Sequence, residues 1–276
     1  MENPSIKIIG IGEGGARAIG KMISAGVGNC NGISFVTIGK DENILLESTA
    51  KENIFLNRDS TTIYKRISAA LRGAKIIFIV AGIGGSSATQ AIPQVISCAK
   101  NFNVATVAFV NRPFVLENSV RKQNAEYCLN ALYRDADTIF DIPTEKFFVF
   151  RLNQPQVSLT EIFDVANDIF SQGIEIFLDM ILKSNSFVTW GNAAFGYGFG
   201  ANALEAIKTA VKFPLLEQGE IKRAPNIFVR LAGGKDTEAK NFVKSIIKPD
   251  SKLFWRNDKS IDGKIFASVV FSRKEV

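Results

Sequence analysis

The sequence predicts an α/β protein: a doubly wound parallel sheet, one long helix, and a smaller α+β unit behind it. Three observations support this. Through the first half, short runs nearly continuous in Val, Ile and Phe alternate with helical patterns. A long apolar helical pattern follows at 158–183. Two glycine-rich turns, in "IGIGEGGARAIG" and "AGIGGSSATQ", each join a buried strand to a helix. Strands covered by helices on both faces are apolar throughout, and such sheets take ligands at the carboxyl ends of their strands.

The strand candidates are "IKIIG" (6–10), "ISFVTI" (33–38), "KIIFIVA" (75–81), "VATVAFV" (104–110) and "DTIFDI" (137–142). Helices are expected between them at Ala16–Ala25, Ile63–Leu71, Thr89–Lys100 and Val120–Tyr133. This β-α alternation is what makes the sheet parallel. In 158–183, Ser158 and Glu161 form an S-x-x-E capping box. Ile162, Phe163, Ala166, Ile169, Phe170, Ile174, Phe177 and Ile181 then recur at steps of three and four. So long and apolar a helix is expected as a central strut between two layers. Beyond it, "AAFGYGFG", a helix at Ala203–Val211, "NIFVRLAGG", a helix at Thr237–Ile247, "KLFWRND" and "KIFASVVFS" compose the smaller unit. The expected domains are 1–157, 158–183 for the helix, and 184–276.

A chain of 276 residues that is 46% hydrophobic can bury a large core. Lys and Arg number 33 against 27 Asp and Glu, giving a net charge of +6 that is scattered along the chain. No basic-aromatic stripe marks a nucleic-acid surface. Cys30, Cys98 and Cys128 lack CxxC spacing and are expected as reduced thiols of a cytoplasmic protein. The chain has no histidine, which removes Ser-His and Cys-His nucleophile pairs and most zinc sites. Chemistry is left to carboxylates, backbone dipoles, Lys and Arg, or bound Mg²⁺. No apolar run is long enough to span a membrane, and the N-terminus has no export signal.

Gly10, Gly12 and Gly15 satisfy G-x-G-x-x-G between a strand and a helix, the dinucleotide fingerprint. Alone it also fits a plain tight turn, and Asp41, the acid for a ribose, falls later than the usual spacing. The second turn changes the balance. Gly82, Gly84 and Gly85 follow another buried strand, and two such turns on one sheet can hold a polyphosphate from both sides. No Walker A pattern is present.

Taken in order, "IKIIGIGEGGARAIGKMISAGV", "AGIGGSSATQAIP", "VNRPFVLENSVRKQNAE", "EIFDVANDIFSQGI" and "GNAAFGYGFGANALEAIKTAVKFPLLE" resemble FtsZ, the bacterial tubulin-like cell-division GTPase family. The resemblance implies the tubulin/FtsZ fold, a GTP or GDP ligand and Mg²⁺. It assigns the first phosphate turn to Gly12, Gly14 and Gly15. Glu13 stands where the family has glycine, and Arg17 replaces a nucleotide-touching asparagine and can offset Glu13. Asp41 matches the acid near the terminal phosphate and metal.

In the second turn Gly82, Gly84, Gly85, Ser86, Ser87 and Thr89 are implied, with Ser86, Ala88 and Gln90 replacing glycines. Gln90 is the hardest to accommodate. The glycine-rich loop that senses the γ-phosphate is shortened to "NRDSTT" (57–62). Pro113, Glu117 and Arg121 match the ribose and phosphate contacts, and Thr144 replaces an asparagine. Phe163 matches a base-stacking aromatic, although its spacing equally fits a core aromatic. Asn167 replaces an aspartate that accepts from guanine, which weakens guanine selectivity.

The resemblance also implies what is missing. The family's acidic loop after the central helix, which polarises water in a neighbouring subunit's site, is shortened here. No acid lies between Met180 and Gly191. Hydrolysis is therefore expected to be absent or very slow, with no catalytic residue assigned. The chain stops at "FSRKEV", so the family's C-terminal adaptor peptide is not expected.

The expected role is structural or regulatory, through self-association or another tubulin-like protein, without membrane insertion. Three alternatives stand. One is an active GTPase forming dynamic filaments with Asp179 or Glu175 as the replacement acid. A second is a nucleotide-free scaffold closed by Glu13 and Gln90. The third is a nicotinamide-dependent oxidoreductase, which explains only the first glycine turn.

Overall fold

The computed structural model describes residues 5–27, 32–56, 59–151, 158–184, 189–217, 219–260 and 263–273. Two compact units divide the chain, Met1–Thr189 and Trp190–Val276.

In the first unit, six strands form a parallel sheet: β1 (Ile6–Ile11), β2 (Ile33–Gly39), β3 (Glu52–Phe55), β4 (Ile76–Gly82), β5 (Ala105–Arg112) and β6 (Thr138–Pro143). Their order is β3-β2-β1-β4-β5-β6, so the chain runs outward from β1 to β3 and crosses back to β4. That reversal sits between β1 and β4, where a doubly wound sheet opens a ligand crevice. The helices between them are α1 (Gly12–Ser24), α2 (Glu42–Glu47), α3 (Ser60–Leu71), α4 (Ser86–Asn101) and α5 (Ser119–Asp135). A 3₁₀ segment, Thr144–Arg151, leads toward the long helix α6 (Leu159–Ser184).

Side-chain alternation assigns the two faces. Ile77, Ile79 and Ala81 of β4 pack with Ile63, Ile67, Ile92, Val95 and Leu129 of α3, α4 and α5. The opposite face carries Phe78, Phe109 and Phe140, one from each of β4, β5 and β6. Phe177 of α6 meets Phe78 and Phe140 edge-on at 6.1 and 5.5 Å, and Phe170 meets Phe109 at 6.2 Å. These rings bury large apolar areas in edge-to-face geometry, so they fix α6 on the sheet beyond mere exclusion of water.

The second unit is a four-stranded sheet of β7 (Gly191–Gly200), β8 (Asn226–Ala232), β9 (Lys252–Asp258) and β10 (Ile265–Ser272), ordered β7-β10-β8-β9. β10 runs antiparallel to both β7 and β8, and β8 is parallel to β9. Helices α7 (Ala203–Val211) and α8 (Thr237–Ile246) belong to it. The alternate glycines of "GYGFG" have a packing cause. A Cβ on Gly196, Gly198 or Gly200 would lie 2.2–2.5 Å from Ala210 O, Thr209 Cβ or Ala206 N of α7. Only bare backbone lets α7 lie this close to β7.

Several elements differ from expectation. α1 begins at Gly12 rather than Ala16, and α4 at Ser86 rather than Thr89. The glycines and serines taken as loop are the first turns of these helices. α2 and β3 were not expected, because both are too short for a periodic signal. Cys98 and Cys128 are buried free thiols whose pKa burial pushes up; Cys30 lies outside the described residues. Among the described residues no helix is long and apolar enough to cross a membrane.

Candidate functional site

A cleft of about 570 Å³ opens at the carboxyl ends of β1, β4 and β5 in the first unit. Gly12, Gly14 and Arg17 line it from α1, and Gly82, Gly85, Ser86 and Ser87 from the turn into α4. Pro113, Glu117 and Arg121 line it from the segment after β5, and Phe163 and Asn167 from α6. The two glycine turns face each other closely. A Cβ on Gly12 would stand 3.5 Å from Ser87 Cβ, and one on Gly14 would stand 4.0 Å from Gly82 N.

The helix starts at this cleft differ from the others in the first unit. α2 and α3 begin at Asp41 and Asp59, whose carboxylates accept from the N–H groups of Asn43, Ile44 and Thr62. α5 begins at Asn118, which accepts from Arg121 N–H, and α6 at the Ser158–Glu161 capping box. α1 and α4 begin at Ile11 and Gly85 with no side-chain cap. Each therefore leaves first-turn N–H groups and the positive end of its dipole directed at the cleft, an arrangement that favours an anion.

Three arginines line the cleft, and each is already paired with a carboxylate. Arg17 donates to Glu13 at 3.0 and 3.2 Å, on an exposed face of α1. Arg121 Nε lies 2.5 Å from Glu117, whose other oxygen accepts from Phe114 N–H at 2.8 Å. Arg112 Nε sits 2.9 Å from both oxygens of the buried Asp141, which also accepts from Tyr133 Oη at 2.9 Å. Hydrogen bonding to Asp141 raises the Arg112 pKa. Burial, with the Asp141 charge adding to it, pushes the Tyr133 hydroxyl up to about 12. With these charges balanced locally, the uncompensated attraction for an anion comes from the two helix starts.

Phe163 is 41% exposed, so it is not a core aromatic. Asn167 is 5% exposed, and its carboxamide has no hydrogen-bond partner among the described residues. Thr144 is committed: its hydroxyl donates to Arg112 O and accepts from Asn111 Nδ2.

Four sequence-identified residues stand apart from the lining. Gly15 is a packing glycine, since a Cβ would lie 2.4 Å from Val80 O. Gly84, at φ +103°, would place a Cβ 2.6 Å from Pro113 Cγ and 2.7 Å from Arg121 O; it shapes the turn rather than facing the cleft. Thr89 donates to Gly85 O within α4 at 2.9 Å.

Asp41 caps α2, and among the described residues no group of three or more carboxylates or thiols could hold a metal. Gln90, the expected obstruction, lies outside the cleft and lines a groove with Tyr64, Pro93 and Gln94.

Of the alternative acids, Asp179 is paired with Lys183 at 2.6 Å. Glu175, whose pKa burial raises against a Ser171 hydrogen bond, lines a separate groove between α1, α2 and α6. The sequence reading missed Asn111, Arg112, Thr160 and Asp164 as lining residues. The position of Arg112 directly before Pro113 was the available signal for one of them.

A doubly wound α/β unit with two uncapped helix starts on one cleft defines a class of anion-receptive proteins. The matching family model is "Tubulin/FtsZ family, GTPase domain", over residues 61–150. The chain is 28% identical to "Cell division protein FtsZ 2" of Rhizobium meliloti across 97% of its own length and 87% of that protein. It is 25% identical to FtsZ of Magnetospirillum gryphiswaldense across the same share of the chain, and spans only 54% of that relative. The structure of an empty FtsZ dimer from M. jannaschii matches with a TM-score of 0.81 at 24% identity, covering all of this chain and 94% of that one. Over nearly its whole length the chain is thus similar in sequence to FtsZ proteins, and it has the tubulin/FtsZ fold.

Proposed function

We propose that this protein binds a guanine nucleotide in the α1–α4 cleft and acts as a cytoplasmic assembly component, joining copies of itself or another tubulin-like protein, with hydrolysis absent or very slow. The observation that carries this reading is the pair of uncapped helix starts facing one cleft. N–H groups of the first turns of α1 and α4 take the phosphate oxygens, while Phe163 offers a stacking face and Asn167 a polar contact to the base. Residues 1–157 thereby supply the phosphate turns and 158–183 the base contacts, with 184–276 a separate α+β domain. Any Mg²⁺ would arrive with the phosphates, coordinated chiefly by them.

Two facts support slow hydrolysis: no acid lies between Met180 and Gly191, and the Asp179 carboxylate is paired with Lys183. Self-association is supported by the relative solved as an FtsZ dimer.

The test is to purify the full chain, identify any co-purified small molecule by mass spectrometry, and measure phosphate release and pelleting with GTP. Bound guanine nucleotide with negligible phosphate release is expected. Pelleting that reverses as GTP is consumed would overturn the hydrolysis half. Protein that is empty and unshifted in melting by GTP or GDP would overturn the binding half.

A further inference from the structure

We propose that β9 is a docking edge for a second copy of this chain, pairing antiparallel with the partner's β9 about a twofold axis at Trp255. The pairing joins the two second-unit sheets edge to edge and needs no nucleotide.

β9 is the last strand of the second unit's sheet, and no described strand lies beyond it. Its bonds to β8 fix which backbone groups are left over. Lys252 N–H donates to Pro225 O, and Asp258 O accepts from Gly233 N–H. The parallel register is unbroken from Asn226–Lys252 to Ala232–Asp258, so Lys252, Phe254, Arg256 and Asp258 turn their N–H and C=O groups toward β8. Leu253, Trp255 and Asn257 turn theirs outward, with no backbone partner among the described residues. Sheet edges are ordinarily blunted by a proline, a bulge or a covering element. Lys252–Asp258 has no proline and no bulge, and none of its residues is buried, whereas most of β8 is.

The side chains favour the chain's own copy as occupant. With the axis at Trp255, Leu253 opposes the partner's Asn257 and Trp255 opposes the partner's Trp255, as pairs that exchange both N–H···O bonds. Between them fall the non-hydrogen-bonded pairs, whose Cα atoms approach to about 4.5 Å and whose side chains are closest. These pairs set Lys252 against the partner's Asp258 and Phe254 against the partner's Arg256. Lys252 is exposed and has no ion pair among the described residues. Phe254 is 44% exposed, on the face opposite Leu253 and Trp255, which pack on the unit's core. Arg256 is held by Asp258 at 3.0 Å, and the pairing sets its guanidinium against the ring. Both pairs are attractive, and each occurs twice about the axis. A slip of two residues sets Lys252 against the partner's Arg256, or Arg256 against its own copy, so like charges oppose each other.

The experiment follows the full chain, stripped of nucleotide, by sedimentation equilibrium up to about 1 mM, with amide exchange read residue by residue by NMR. A reversible monomer–dimer equilibrium is expected. Exchange at Leu253, Trp255 and Asn257 should slow as concentration rises, while Phe254 and Arg256 are protected throughout. Phe254→Lys sets a cation against Arg256 and should weaken the dimer by about tenfold or more, because it acts twice about the axis. Phe254→Glu sets an anion there and should leave the dimer within about threefold or tighten it. Equal weakening by both would mean an unspecific apolar contact and would overturn the register. Should either variant fail to fold, the exposed Lys252 gives the same comparison: Lys252→Glu should weaken the dimer and Lys252→Arg should not. A chain that stays monomeric, or a dimer whose outward amides exchange as in the monomer, would overturn the inference and leave the nucleotide reading untouched.

Discussion

Replacing Gly85 with aspartate should make α4 more stable and the cleft worse at holding phosphate. Gly85 is the N-cap of α4, with φ −79° and ψ 157°, and a Cβ there would meet no atom within 4 Å. An aspartate therefore fits without strain and accepts from first-turn N–H groups of α4. Capping and the dipole together favour it over glycine by about 0.5–1 kcal/mol. For a chain of this size that raises Tm by about 1–3 °C.

The same carboxylate occupies the donors assigned to phosphate. A unit charge about 4 Å from a phosphate costs about 4 kcal/mol at an effective dielectric of 20, which an open cleft reduces by screening. Half of that is about 2 kcal/mol, or about thirtyfold in GDP affinity. Gly85→Asn is the control: it caps without the charge, and should weaken GDP by less. Calorimetric titration with GDP and thermal unfolding of the same samples measure both effects. A folded Gly85→Asp variant with raised Tm and GDP affinity within about threefold of the parent would refute the helix-start argument.

Phe163→Ala should leave Tm nearly unchanged, because the ring is already 41% exposed. It should weaken GDP by about 1–3 kcal/mol, the range for base–aromatic stacking, as read by titration. Gly198→Val should destabilise the second unit by at least about 1–3 kcal/mol in chemical denaturation, since even a Cβ there lies 2.5 Å from Thr209 Cβ. Asp258 lies 2.6 Å from Arg230 and also contacts Arg256. Burial opposes ionisation, but the hydrogen bonds from Arg256 and Arg230 outweigh it and hold the Asp258 pKa at about 2. A depressed carboxylate contributes stability that is complete above the unfolded pKa of about 4 and lost as pH falls toward 2. Asp258→Asn should therefore flatten acid unfolding between those pH values and lower neutral-pH stability by about 1–2 kcal/mol.

Much of the first unit was legible because buried parallel strands carry a strong compositional signal. "KIIFIVA" and "VATVAFV" need no further context. Helix starts were less legible. Gly12 and Ser86 begin helices, yet glycine and serine are ordinarily turn residues, and only the geometry reveals that they fill first turns. Phe163, Phe170 and Phe177 recur at seven-residue steps, so periodicity treats them alike. Their environments differ. Phe170 and Phe177 lie over the sheet, while Phe163 is left at the cleft. Gln90 was read as an obstruction because it replaces a small residue beside the second turn. In α4 it sits one turn past the cap and lines a different groove. The Arg112–Asp141–Tyr133 network was hidden, since its members are far apart in sequence and each is unremarkable alone.

Affinity for GDP against affinity for unphosphorylated guanosine, on the full-length chain at fixed salt, tests most directly whether the two helix starts hold phosphate. If they do, GDP binds at least about a hundredfold tighter than guanosine, because the base contacts are few and the first-turn amides act only on the phosphates. Equal binding of the two, or binding of neither, would contradict the account.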